Sequence, residues 1–226
     1  MKRLVQYIVL VISIIVTSVA FAEVGIIPTK SKPTMADVNV GFDSAILTSG
    51  VGYGQRVDLE ALNKEMVVFG DFSIPMTKPD FNDFRLRLGI YLIAYKRQSF
   101  SVPIEFIPIL RGAENATFRS VGFGTALGVV PGWYFAKWFI AGETIWDQQW
   151  TSYIEHSDYY KKNVYPAKDG WLSTPAKYFQ FGLRGGGIIR DKYELILRAG
   201  YEHRGKYGLQ NLTPSIYVIS SIGFRW

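Results

Sequence analysis

The chain has 226 residues, a formal net charge of +6, two histidines and no cysteine. No cysteine means no disulfide framework and no thiolate centre, and so few histidines give no basis for a transition-metal site; neither a metal nor a cofactor is expected. Charges of both signs are scattered and the balance is mild, so nucleic acid is not an expected partner.

Residues 1–22 read as an export signal. Lys2 and Arg3 form a basic start, 4–16 is a mostly apolar stretch, and Ala20-Phe21-Ala22 fits a small-x-small cleavage site. A membrane anchor is the competing reading, because 4–22 is almost long enough to span a bilayer. Residues 23–36, with Pro28, Lys30, Lys32 and Pro33, read as a loose periplasmic tail. One domain over 37–226 follows. Its most apolar stretch, "GVVPGWYFAKWFIAG", is too short for a spanning helix and is broken by Pro131 and Lys137.

From Asp37 onward the pattern has period two, the mark of strands whose faces meet different surroundings. In chain order, strands are expected near 37–42, 46–59, 65–76, 83–96, 99–111, 118–135, 137–153, 177–190, 192–203 and 213–226. That makes ten; eight or twelve stay open because the first hairpin is poorly marked. Tight turns such as Lys96-Arg97-Gln98 and Arg190-Asp191-Lys192 alternate with longer connections such as "PMTKPDFND", "RGAENAT", "EHSDYYKKNVYPAKDGWLSTPAK" and "RGKYGLQNLTP". Alternating short turns and long loops, aromatics at 15% of residues and an even strand count fit an all-β, antiparallel up-and-down transmembrane barrel. The expected location is the outer membrane of a Gram-negative cell.

The apolar faces carry too much volume for the inside of a small barrel. Leu86, Leu88, Ile90, Phe100, Phe106, Phe123, Trp138, Trp146, Trp150, Phe179 and Phe181 are therefore expected on the lipid side. Gly122, Gly124, Ala126 and Gly128 leave room on the other face for long side chains crossing the lumen. Two aromatic girdles are expected. Tyr95, Phe100, Trp133, Tyr134, Trp138, Tyr193 and Trp226 would form one beside the short turns. Phe81, Trp150, Tyr153, Trp171, Tyr178 and Tyr201 would form the other towards the long loops.

The ending "IGFRW", with Phe224 and Trp226 on the lipid-facing parity, resembles the carboxy-terminal aromatic signature of bacterial outer-membrane β-barrel proteins. The terminal Trp stands where Phe is commoner in that family. The resemblance implies the fold, the compartment and recognition by the barrel-assembly machinery, with Phe224 and Trp226 as the assembly signal. It implies no activity.

Expected lumen charges are Arg85, Arg87, Glu105, Glu143, Asp147, Arg184, Glu194, Arg198, Glu202 and Arg225, joined by Asp43, Arg56, Glu65 and Asp71. Buried charges persist only when paired, so a closed network plugging the barrel is the reading adopted, with a structural or surface-interaction role. A small solute pore is the alternative. An outer-membrane hydrolase comes third. His203 sits as in lipid A deacylases, which it resembles in outline, but Gly205 replaces the nucleophilic Ser. His156 with Asp158, opposite Asp80 and Asp83, resembles the omptin proteases in outline, with the His-x-Asp order and the acid spacing departing from that family. Lys161, Lys162, Lys168, Arg204 and Lys206, near Tyr159, Tyr160 and Trp171, are candidate contacts for lipopolysaccharide phosphates.

Overall fold

Strands with one apolar and one mixed face must bury or screen both, and a closed wall does so while pairing every strand edge. In the computed structural model, which describes residues 33–43, 46–59, 64–76, 79, 81–163, 168–173, 177–204 and 216–226, the chain takes this solution. The expected export signal and the tail up to residue 32 lie outside the described residues, as do Asp80, Gly205 and Lys206.

The elements are β1 (Thr34–Asp43), β2 (Ile46–Leu59), β3 (Lys64–Pro75), β4 (Phe84–Arg97), β5 (Phe100–Glu114), β6 (Phe118–Val129), β7 (Gly132–Tyr134), β8 (Trp138–His156), α1 (Asp158–Asn163), β9 (Gly170–Leu172), β10 (Lys177–Ile189), β11 (Tyr193–Arg204) and β12 (Ile216–Arg225). Ten long strands, all but β7 and β9, form a closed antiparallel barrel. Each pairs with its neighbour in the chain, and β12 closes on β1 with Val38 opposite Ile222 and Asp37 opposite Gly223. At that seam Thr34 N–H donates to Trp226 O at 3.2 Å and Trp226 N–H to Thr34 O at 3.1 Å. β1 thus begins three residues before the expected boundary at 37, and Met35 is fully buried in the lumen.

The barrel has a turn end, where β4 meets β5 and β10 meets β11, and a loop end carrying α1 and β9. At the turn end Arg190 and Asp191 both have positive φ, 53° and 55°, and Lys192 N–H donates to Ile189 O at 3.3 Å. That is a type I′ turn, whose twist matches the flanking strands. The connection "RGAENAT", expected to be a long loop, is a tight turn instead. Asn115 Oδ1 accepts the N–H groups of Thr117 and Phe118 at 2.8 and 3.0 Å, so β5 and β6 run on to Glu114 and Phe118.

The expected strand 118–135 is two strands. Pro131 cannot donate to a ladder, so β6 stops at Val129. Val130 N–H turns to Pro103 O at 3.0 Å, and β7 then pairs with both β8 and β5. Two β-bulges reset parity. Gly124 faces Gln149 while Phe123 faces Thr151, leaving Trp150 as the extra residue, and Ala94 is extra between Ile93 and Tyr95.

The outer wall is predominantly apolar, with Leu183 and Ile222 each 62% exposed. Ring contacts encircle its turn end: Phe135–Trp138 at 4.2 Å, Phe100–Trp133 at 5.6 Å, Tyr193–Phe224 at 5.8 Å and Phe224–Trp226 at 5.7 Å. Tyr153–Trp171 at 5.6 Å and Phe181–Tyr201 at 5.5 Å mark the loop end. Two expected girdle residues belong elsewhere. Tyr134 folds inward and donates to Val130 O at 3.0 Å, and Tyr178 lines the lumen.

The lumen is more apolar than expected. Met35, Val67, Phe69, Tyr91, Ile107, Ile109, Ala126 and Ile145 form one buried cluster. Val130, Phe139, Ala141 and Ile196 form a second, against which Tyr134 and Ile188 pack.

The turn predicts a stability change. Holding two non-glycine residues left-handed costs roughly 1–2 kcal/mol each. Replacing Arg190-Asp191 with Asn-Gly should raise the urea midpoint of the folded barrel, by about 1 kcal/mol in unfolding free energy. A lower midpoint would contradict this turn assignment.

Candidate functional site: the lumen knot, the vestibule and the loop rim

Register places a row of four residues across neighbouring strands. Tyr217 on β12 faces Gly200 on β11, Gly200 faces Gly182 on β10, and Gly182 faces Glu143 on β8. A Cβ at Gly200 or Gly182 would lie 2.5 or 2.4 Å from the Tyr217 hydroxyl. The two glycines are therefore the gap through which Tyr217 crosses two strands to donate to Glu143 Oε1 at 2.7 Å.

The carboxylate it reaches is shared. Arg184 Nε donates to Glu143 Oε2 at 2.8 Å, and Arg198 Nε donates to the same oxygen at 3.0 Å. Arg184 also gives Nη1 to Glu105 Oε1 at 2.8 Å. The Arg198 guanidinium lies 5.8 Å from the Tyr217 ring centroid. Glu105 reaches this point across Gly128, where a Cβ would sit 2.8 Å from its Oε2. All four charged side chains are at most 4% exposed. Arg184 and Arg198 are cross-strand neighbours, an arrangement that repels unless an anion lies between them. Glu143 is that anion.

Below the knot, towards the turn end, lies the cluster of Val130, Phe139, Ala141 and Ile196, and Tyr91 and Tyr134 meet beside it with hydroxyls 3.3 Å apart. Arg225 and Glu194 approach to 3.8 Å at this end of the barrel. Above the knot an internal cavity of about 40 Å³, lined in part by Asp71, Arg87 and Ile219, has room for a water or two. Next to it, with Arg85, Asp147 and Gln180 in both linings, lies a vestibule of about 380 Å³. There Arg111 pairs with Asp147, crossing Gly124, and Gln180 Nε2 donates to Glu202 Oε2 at 2.6 Å. Arg87 pairs with Asp71 at 2.8 Å.

The ten candidate lumen charges thus occupy three levels. Glu105, Glu143, Arg184 and Arg198 form the knot, Arg85, Asp147 and Glu202 line the vestibule with Arg87 just beneath, and Glu194 and Arg225 lie at the turn end. Glu65 pairs with Arg56 at 2.8 Å; the Asp43 side chain lies outside the described residues. Sequence reasoning missed Arg111 and Tyr217, although both have the inward parity of their strands, because each looked like an ordinary strand residue. It also missed Asp37, 3% exposed beside Gly223.

At the loop rim, His156 meets Asp169 rather than Asp158. His156 N–H donates to Asp169 Oδ1 at 2.8 Å, its Nδ1 lies 3.3 Å from the same oxygen, and Lys161 Nζ is 2.6 Å from Oδ2. Tyr160 stacks on the imidazole at 5.1 Å. Asp158 opens α1, and Ser157 Oγ accepts Tyr160 N–H at 3.3 Å as the helix cap. Asp83 lies in the turn before β4. His203 stands on the outer parity opposite Phe179, so the structure does not bring the two histidines together. Lys162 and Lys168 are exposed, and Arg204 is the last residue of β11. No group of acids and histidines that could hold a metal occurs among the described residues.

Two variants separate the parts of the knot. Glu143→Ala removes the carboxylate between two buried guanidiniums and should cost about 3–5 kcal/mol of unfolding free energy. Tyr217→Phe removes one hydrogen bond to a charged group and should cost about 1.5–3 kcal/mol. Equal losses in urea titrations would argue against the central place of Glu143.

The rim carries its own pH dependence. The His156 N–H and the Lys161 ammonium hold the Asp169 carboxyl down at about 2, against an ordinary 3.8, and Asp169 in turn raises Lys161. A depressed acid stabilises its contacts above its unfolded pKa and loses that contribution as pH falls through the folded value. The tie between Asp169 and β8 should therefore hold at neutral pH and weaken between about pH 4 and pH 2. Asp169→Asn should speed tryptic cleavage at Lys168 at neutral pH; an unchanged rate would show that the contact does not fasten the segment.

Compared with protein-family models and with curated proteins, the chain matches no family model and no curated protein.

Proposed function

We propose that the protein is an outer-membrane β-barrel, exported by its amino-terminal signal, with a plugged lumen and a structural or surface-interaction role at its loop end. The observation that carries this reading is the pairing of a closed wall, apolar on its outside, with a lumen stopped by the Glu143 knot. Closure satisfies the backbone without water, and an apolar band between aromatic belts is what hydrocarbon and its interfaces solvate. Phe224 and Trp226 lie on that outer face beside β1, where assembly machinery reading the last strand would meet them. In the same frame, among the described candidates, Lys162 and Lys168 are exposed cations for lipopolysaccharide phosphates, while Lys161 is engaged by Asp169.

Support for plugging over a pore comes from the narrow inner cavity and the packed cluster beneath the knot. Conduction would require parting Arg184 and Arg198 from Glu143, which strands buried charges. The hydrolase reading has the least support. His156 is held by Asp169 rather than by Asp158, and His203 faces away from the lumen.

Refolded protein in a planar bilayer, checked for folding by heat-modifiable gel migration, should give no discrete conductance steps. Glu143→Ala, if it inserts, should give intermittent steps. Steady wild-type conductance would overturn the plugged reading in favour of the pore.

A further inference from the structure

A barrel that only had to be shut would be filled along its length, yet above the knot it holds a vestibule of about 380 Å³. That is within the range of small-molecule sites. Its charges are arranged by wall. Arg85 and Arg111 face each other in register on β4 and β5, while Asp147 and Glu202 stand on β8 and β11. Like charges directly opposed destabilise a sheet, whereas two neighbouring guanidiniums make a forked seat for a carboxylate. Arg111 is held by Asp147, but Arg111 Nη1 and Asp147 Oδ1 each lack a hydrogen-bond partner. Tyr178 and Phe118 add flat apolar wall.

A simple anion fits this cavity poorly. It would gain the two arginines and meet the two carboxylates, and a simple cation would face the reverse. A molecule carrying both charges a few atoms apart meets both walls at once. We propose that the vestibule binds a small zwitterion, a free amino acid or short peptide. Its α-carboxylate sits against Arg85 and Arg111, and its ammonium against Asp147 and Glu202. This rests on the plugged reading, since the knot is what gives the vestibule a floor.

The test is isothermal titration of the folded barrel in detergent with L-leucine, glycyl-L-leucine, N-acetyl-L-leucine and L-leucinamide. Leucine or the dipeptide should bind saturably, and the difference between them sets the length of ligand accepted. The two probes lacking one charge should bind about tenfold more weakly or worse. Glu202→Gln should weaken leucine by a similar factor and leave N-acetyl-leucine binding no weaker, since it also removes a carboxylate that repels an anion. If that variant fails the heat-modifiability check, the four probes on the unaltered protein decide alone. No saturable heat from leucine or the dipeptide would overturn the proposal, as would N-acetyl-leucine binding as tightly as leucine. Conductance and titration are separate readouts, so a silent barrel that binds nothing loses the ligand and keeps the plug.

Discussion

One carboxylate, Glu143, organises the interior. Two arginines that are cross-strand neighbours and a tyrosine from three strands away all converge on it. Taking four charges out of water, with Glu105 included, is costly, and the cost is offset only when geometry is good and the remaining hydrogen-bonding sites are filled. The surroundings supply those conditions. Gly182 and Gly200 open the path for Tyr217, Gly128 opens the path for Glu105, and an apolar cluster seals the turn end beneath. Remove the glycines and the knot cannot form; remove the knot and the barrel encloses unpaired charge.

Much of this arrangement was legible in the sequence because a barrel strand has only two faces. Once Leu195, Leu197 and Tyr201 are assigned outward, Glu194, Arg198 and Glu202 must point in, and the structure places them so. The strand count followed from the same alternation. What alternation cannot report is distance across the lumen. It gave no means of choosing Glu143 over Glu194 as the shared anion, because that choice depends on which glycines align in register on neighbouring strands.

The remaining misreadings have local causes. In β5 the run Phe106-Ile107-Pro108-Ile109-Leu110 is apolar on both faces, which marks a strand with apolar surroundings on each side. Reading it for one lipid face alone hid the lumen cluster that contains Ile107 and Ile109. Asn115 made "RGAENAT" look like a loop, although one side-chain oxygen is enough to close a tight turn there. Tyr134 looked like a girdle residue because it neighbours Trp133. The break at Pro131 and the short β7 instead bring its hydroxyl to Tyr91.

The bulge at Trp150 joins the interior to the rim. Before it, odd-numbered residues of β8 face inward, as Glu143, Ile145 and Asp147 do; beyond it, Ser152 is the buried one and Tyr153 is exposed. The extra residue therefore moves the inward parity onto Ser152 and His156, and it lets Trp150 donate to Thr125 on the outside at 2.9 Å. Without it, Tyr153 would point into the vestibule and His156 away from the side on which Phe118 lies. The same bulge keeps Tyr153 outside to pack on Trp171 of β9, while His156 N–H binds Asp169. One inserted residue in the wall thus keeps the vestibule clear and fastens the segment beside its mouth.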